Sequence, residues 1–87
     1  MDRKELKERS KELEPILRVG KNGLGEGQIN EIKRTLQLKK LIKVKILKSF
    51  FEGKDKQALA QELAEKTNSV LIDNVGNIVV LYKGVVK

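Results

Sequence analysis

The stretch LIKVKILK, residues 41–48, constrains the architecture of this chain more than any other. Apolar and basic side chains alternate strictly, with Ile42, Val44 and Ile46 on one side and Lys43 and Lys45 on the other. A period of two belongs to a β-strand, whose successive side chains point to opposite faces. The segment therefore reads as a half-buried strand whose second face meets solvent or a polyanion. Just before it, Ile29, Ile32 and Leu36 fall at i, i+3 and i+7, the spacing of an amphipathic helix over residues 26–38.

The remaining elements follow from similar patterns. Residues 2–13 are good helix formers with Leu6 and Leu13 one heptad apart, and Pro15 ends that helix because the residue before a proline is pushed out of helical angles. ILRV, residues 16–19, reads as a short strand, and SFFEGKDK, residues 49–56, as a loop. Leu59, Ala60, Leu63 and Ala64 form the apolar stripe of a third helix, whose alanines allow close packing on a sheet. SVLID (69–73) and NIVVLYK (77–83) read as strands around a hairpin turn at Asn74-Val75-Gly76. The order α-β-α-β-α-β-β predicts a single α/β domain, a two-layer sandwich with a four-stranded mixed sheet. Its β-α-β crossovers should be right-handed, and the first helix is placed at an edge or on the other face.

Charge is distributed unevenly along this frame. The net charge of +7 comes from 19 basic and 12 acidic side chains. Residues 1–14 and 49–87 each carry five of either sign, whereas residues 15–48 carry nine basic groups against Glu26 and Glu31. The whole excess lies in the middle third, which points to an anionic partner against the plainer reading of a solvated lysine surface.

Other chemistries lack material. There is no cysteine and no histidine, which removes disulfides, thiolate metal sites, cysteine nucleophiles and the usual general base near neutral pH. Ser10, Ser49 and Ser69 have no histidine to activate them, and Asp55, Glu62, Glu65 and Asp73 form no defensible catalytic pair. No G-x-x-x-x-G-K-[ST] or G-x-G-x-x-G spacing occurs. The expectation is a non-enzyme with no cofactor and no metal. No apolar run approaches the ~20 residues of a membrane span, and MDRKELKERSKEL has no signal-peptide core, so a cytoplasmic location is expected.

RVGKNGLGEG, residues 18–27, gathers four of the seven glycines. GKNG, residues 20–23, lies between the first strand and the second helix, where glycines on either side of Lys21 and Asn22 let backbone approach a sugar-phosphate chain. A tight turn is the bland alternative. The candidate contact set is Gly20, Lys21, Asn22 and Gly23 in the loop, with Arg18, Lys43 and Lys45 on the open sheet face. Lys33, Arg34, Lys39 and Lys40 complete it around the end of the second helix. Lys39 and Lys40 also complement a helix C-terminus. Phe50, Phe51 and Tyr82 are the only aromatics, too few for a base-stacking platform. Core packing is expected for Tyr82 and at least one Phe.

LEPILRVGKNGLGEGQINEIKRTL, LIKVKIL and VGNIVVLYKG together resemble the CRM domain, named for chloroplast RNA splicing and ribosome maturation, in its small stand-alone YhbY-type form of bacteria and archaea. The likeness covers about residues 3–84. It implies a fold similar to the C-terminal domain of translation initiation factor three. It also implies binding of structured RNA, rRNA or a precursor large ribosomal subunit, through Gly20, Lys21, Asn22 and Gly23 with Lys43 and Lys45. Lys39-Lys40 stand where the family often has His-Glu, and Lys83 where it has Arg, which leaves RNA specificity open. A KH-like single-strand binder and a ribosome-associated protein-interaction component are the alternatives. KH domains place their Gly-x-x-Gly loop between two helices, whereas here a strand precedes it.

Overall fold

The computed structural model describes residues 2–20, 25–47 and 55–86. Its elements are α1 (Arg3–Ser10), β1 (Leu17–Val19), α2 (Glu26–Lys39), β2 (Leu41–Ile46), α3 (Lys56–Lys66), β3 (Val70–Val75) and β4 (Ile78–Tyr82). Among the described residues the order is the one the sequence predicts, and they form a mixed α/β fold with three helices and a four-stranded sheet.

α1 begins at an N-cap, where the Asp2 carboxylate accepts from the Glu5 N–H at 2.8 Å. Regular α-helix stops at Ser10, short of the predicted residue 13. The coil continues in a tighter form, with Lys11, Glu12 and Leu13 each donating to the carbonyl three residues back. Only Leu6 of the two heptad leucines is buried, while Leu13 is partly exposed.

The strands lie in the order β1-β2-β4-β3. β1 runs parallel to β2, with Leu17, Arg18 and Val19 facing Val44, Lys45 and Ile46. β4 is antiparallel to both of its neighbours. Consequently β1, β2 and β3 point the same way. The connections after β1 and β2 and the β3–β4 turn all lie at one end of the sheet, and the Ile46 N–H donates to Asn77 O there at 2.8 Å.

The hairpin turn sits one residue later than predicted. Asn74 and Val75 belong to β3 and pair with Val79 and Ile78, leaving Gly76-Asn77 as a two-residue turn. Gly76 has φ +58°, a value that glycine adopts without steric cost and that the first position of a II′ turn demands.

The two faces of the sheet are covered differently. On one, α2 and α3 press Ile29, Ile32, Leu36, Leu59 and Leu63 against Ile42, Val44, Ile46, Val79 and Leu81. On the other, α1 contributes Leu6 to a small cluster with Ile72 and Val80, flanked by Leu41, Val70, Tyr82 and Val86. Tyr82 packs there, as expected. A β-bulge between Leu71 and Asp73 turns the extra residue, Ile72, into this cluster. The Arg3 guanidinium donates to Leu71 O and, at 3.3 Å, to Ile72 O, tying α1 to the bulge.

α2 passes into β2 through Lys40 alone. Its φ of 68° and ψ of −48° put a side-chain-bearing residue where glycine usually closes a helix. The Lys40 N–H donates to Leu36 O at 2.8 Å, and Lys40 O accepts from the Lys83 N–H at 2.8 Å, so the last turn of α2 and the residue after β4 hold the junction.

Candidate nucleic-acid interface

Alternation on β2 decides where the cations go. Since Val44 and Ile46 enter the larger core, Lys43 and Lys45 must face the α1 side, where they oppose Val80 and Ile78 of β4. Arg18 is exposed between half-buried Leu17 and buried Val19, and its register partner is Lys45. Two like charges on directly adjacent strands repel, so this pair favours an anion above it. α1 packs over β2 and β3 around Ile72 and Val80, leaving Lys43 and Lys45 half-buried and Arg18 exposed.

Among the described residues the ion pairs are Arg9–Glu5 at 3.9 Å, Lys11–Glu8 at 3.3 Å and Lys66–Glu62 at 3.3 Å. All three are within α1 and its last turn or within α3. Arg18, Lys33, Arg34, Lys39, Lys40, Lys43 and Lys45 have no ion-pair or side-chain hydrogen-bond partner among the described residues. The charge imbalance in the sequence thus survives folding as unneutralised cations.

The predicted contact residues do not form one patch. Arg18, Lys43 and Lys45 come together on the α1 face. Lys33 and Arg34 lie on exposed positions of α2, in the layer on the other side of the sheet. Lys39 and Lys40 stand at the start of β2, whose six residues separate them from the Gly20 end by roughly 20 Å. Lys83 is bonded to Lys40 there through the backbone.

At the loop itself, Gly20 is described, while Lys21, Asn22 and Gly23 lie outside the described residues, as do Phe50 and Phe51. A Cβ on Gly20 would come 2.9 Å from Leu47 Cδ1, so this glycine makes room for Leu47. The Leu47 N–H donates to Val19 O at 2.7 Å, which brings the starts of the two β-to-α connections side by side. α2 then opens at Gly25 with no side chain to accept from its first N–H groups, whereas Asp2 and Asp55 accept from Glu5 and Gln57 at the starts of α1 and α3. Among the described residues no atom would meet a Cβ on Gly25 or Gly27 within 4 Å, and both positions are exposed.

Lys7 and Lys11 were hidden in the charge count because residues 1–14 balance. The structure brings both to the edge of a groove shared with Lys43. Their i, i+4 spacing is the one sequence signal that places them on a common helix face. Among the described residues, no three His, Cys, Asp or Glu side chains are grouped to hold a metal ion, and no helix is long and apolar enough to cross a membrane.

Known proteins are similar to this chain in sequence and in fold. Residues 1–83 match the family model of the CRS1 / YhbY (CRM) domain. A Bacillus subtilis protein named "Probable RNA-binding protein YqeI" is 37% identical over 78 residues, 90% of this chain and 79% of that one. A Pseudomonas aeruginosa protein named "Probable RNA-binding protein PA4753" is 36% identical over 81 residues, covering 93% and 76%. The solution structure of SAV1595 from Staphylococcus aureus matches with a TM-score of 0.80 at 34% identity, covering 99% of this chain and 88% of that one. From motif, fold and relatives alike, the chain belongs to the CRS1 / YhbY (CRM) domain family.

Proposed function

We propose that this protein binds structured RNA, specifically rRNA during assembly of the large ribosomal subunit, and carries out no catalysis. The observation that carries the reading is the row of Arg18, Lys43 and Lys45, cations without partners among the described residues on a sheet face that α1 covers only in part. Relatives bearing the name RNA-binding protein support the same partner. In this mechanism the GKNG loop lays backbone against phosphates beside the Arg18–Lys45 pair, and the β2 lysines neutralise the adjoining phosphates. Contacts of this kind give affinity and orientation but little sequence reading, so selection comes from RNA shape.

The test is fluorescence-anisotropy binding to large-subunit rRNA fragments, duplex RNA and duplex DNA across a salt series, with wild type beside Lys21→Glu. Neutralising ~4–6 phosphates gives a log–log salt slope of roughly −3 to −5, with RNA preferred over DNA. Folded Lys21→Glu should bind weakly. Undiminished binding by that variant would remove the loop from the mechanism. Absence of RNA binding by wild type would overturn the function and leave protein interaction in its place.

A further inference from the structure

The groove between α1 and the sheet shares only Lys43 with the loop-centred mechanism. It encloses about 350 Å³, within the ~300–1,000 Å³ typical of small-ligand sites. Lys7 and Lys11 stand on the α1 side and Lys43 on the β2 side. Val75, Ile78 and Val80 supply an aliphatic lining from β3 and β4. Ser10 donates its hydroxyl to Lys7 O at 2.7 Å and is itself buried, which anchors the turn that carries Lys7. Neither Lys7 nor Lys43 has a partner among the described residues. Lys11 meets only Glu8, at 3.3 Å and largely exposed, a kind of pair that contributes little.

Three cations face one carboxylate, Asp73, around an apolar lining. Such a groove complements a ligand that is anionic at one end and flat and weakly polar at the other. Lys43 belongs both to the groove and to the row with Lys45 and Arg18, so a polyanion lying along that row reaches the groove without leaving the surface.

We propose that the groove takes one unstacked nucleotide of the bound RNA, its phosphate between Lys7 and Lys43 and its base over Val75 and Ile78. The inference rests on the RNA-binding reading above. Asp73, whose Oδ1 already accepts from the Asn74 N–H at 2.9 Å, has acceptor capacity left for the exocyclic amino group of cytosine, adenine or guanine, which uracil lacks.

Anisotropy titrations of oligocytidylate, oligouridylate and an rRNA fragment test this, using wild type, Lys45→Glu, Lys7→Glu/Lys11→Glu and Asp73→Asn. Lys7 and Lys11 are exposed, so their reversal leaves the core untouched. Its effect should be a loss of about tenfold or more on oligocytidylate. Asp73→Asn should erase a preference for oligocytidylate over oligouridylate. Ultraviolet cross-links from photoreactive cytidine analogues to wild type should map to α1 and β4. If no RNA binds wild type, the functional reading itself falls. If Lys45→Glu weakens binding while the α1 double variant does not, or cross-links avoid α1 and β4, the groove alone is refuted. Loss of a polyglutamate peptide rather than of RNA by the double variant would also refute it, by making the groove a peptide site.

Discussion

One sheet presents two unlike faces. Against α2 and α3, thirteen described residues are buried in a continuous cluster, whereas against α1 only Leu6, Ile72 and Val80 are. The difference traces to helix composition. α2 and α3 each turn a stripe of apolar residues inward, while α1 has a single buried leucine among charged residues and a buried serine. A helix like that seals only the patch beneath it. The thinly covered remainder of the face is where β2 places half-buried Lys43 and Lys45 beside exposed Arg18. Cohesion is therefore concentrated on one face and unneutralised charge on the other, and the two should be separable by mutation.

Paired core truncations should show the largest effects. Leu36 and Leu6 are equally buried, at 0% and 1% exposure, so any difference between their alanine variants comes from their surroundings. Leu36→Ala should cost about 4 kcal/mol in urea unfolding, a large part of the ~5–15 kcal/mol that holds a domain together. Leu6→Ala should cost about 2–3 kcal/mol, because α1 can settle into the space. In hydrogen exchange it should strip protection from α1 amides before those of α2 and β2. Equal costs with uniform loss of protection would break the contrast between faces.

Next in size is the charge comparison. Lys43→Ala/Lys45→Ala should weaken rRNA binding by about tenfold and flatten its salt slope by about one to two units. Lys33→Ala/Arg34→Ala, behind the sheet, should stay within about twofold by the same titration. Matching losses would mean that RNA wraps both layers. The smallest effect belongs to Lys40. Replacing it with glycine relieves a positive φ and should stabilise the fold by about 1 kcal/mol, which a melting curve reads as a rise of about 4–8 °C.

How much of this was legible in sequence depends on whether the signal was local. Element order came through because β2 alternates strictly and α2 repeats at helical spacing. The β3–β4 turn was displaced because Asn74 and Gly76 both carry turn propensity, and only pairing of Val75 with Ile78 decides between them. The bulge at Ile72 had no local mark. It keeps Ile72 on the α1 face that Val70 occupies while shifting Asp73 onto the same face, opposite Val80. The contact set was harder to read. Clustering of positive charge along the chain does not fix clustering in space, since α2 carries Lys33 and Arg34 behind the sheet while β2 carries Lys43 and Lys45 in front. In sequence Gly20 suggests an opening for ligand, whereas in the fold its missing side chain also accommodates Leu47. Lys7 and Lys11 carry no signal in the charge distribution along the chain, because neighbouring acids cancel them.

β2 is bonded on both edges, parallel to β1 and antiparallel to β4. Lys43 and Lys45 are two residues apart on it, so their Cα positions are held at roughly 6.6 Å by the ladder itself. A partner whose negative charges recur at a compatible interval meets backbone that needs no ordering on contact, and the entropy lost in association is correspondingly smaller. The strand acts as a ruler. It can favour one spacing of charges over another before any base is recognised, and it will keep doing so until the sheet itself comes apart.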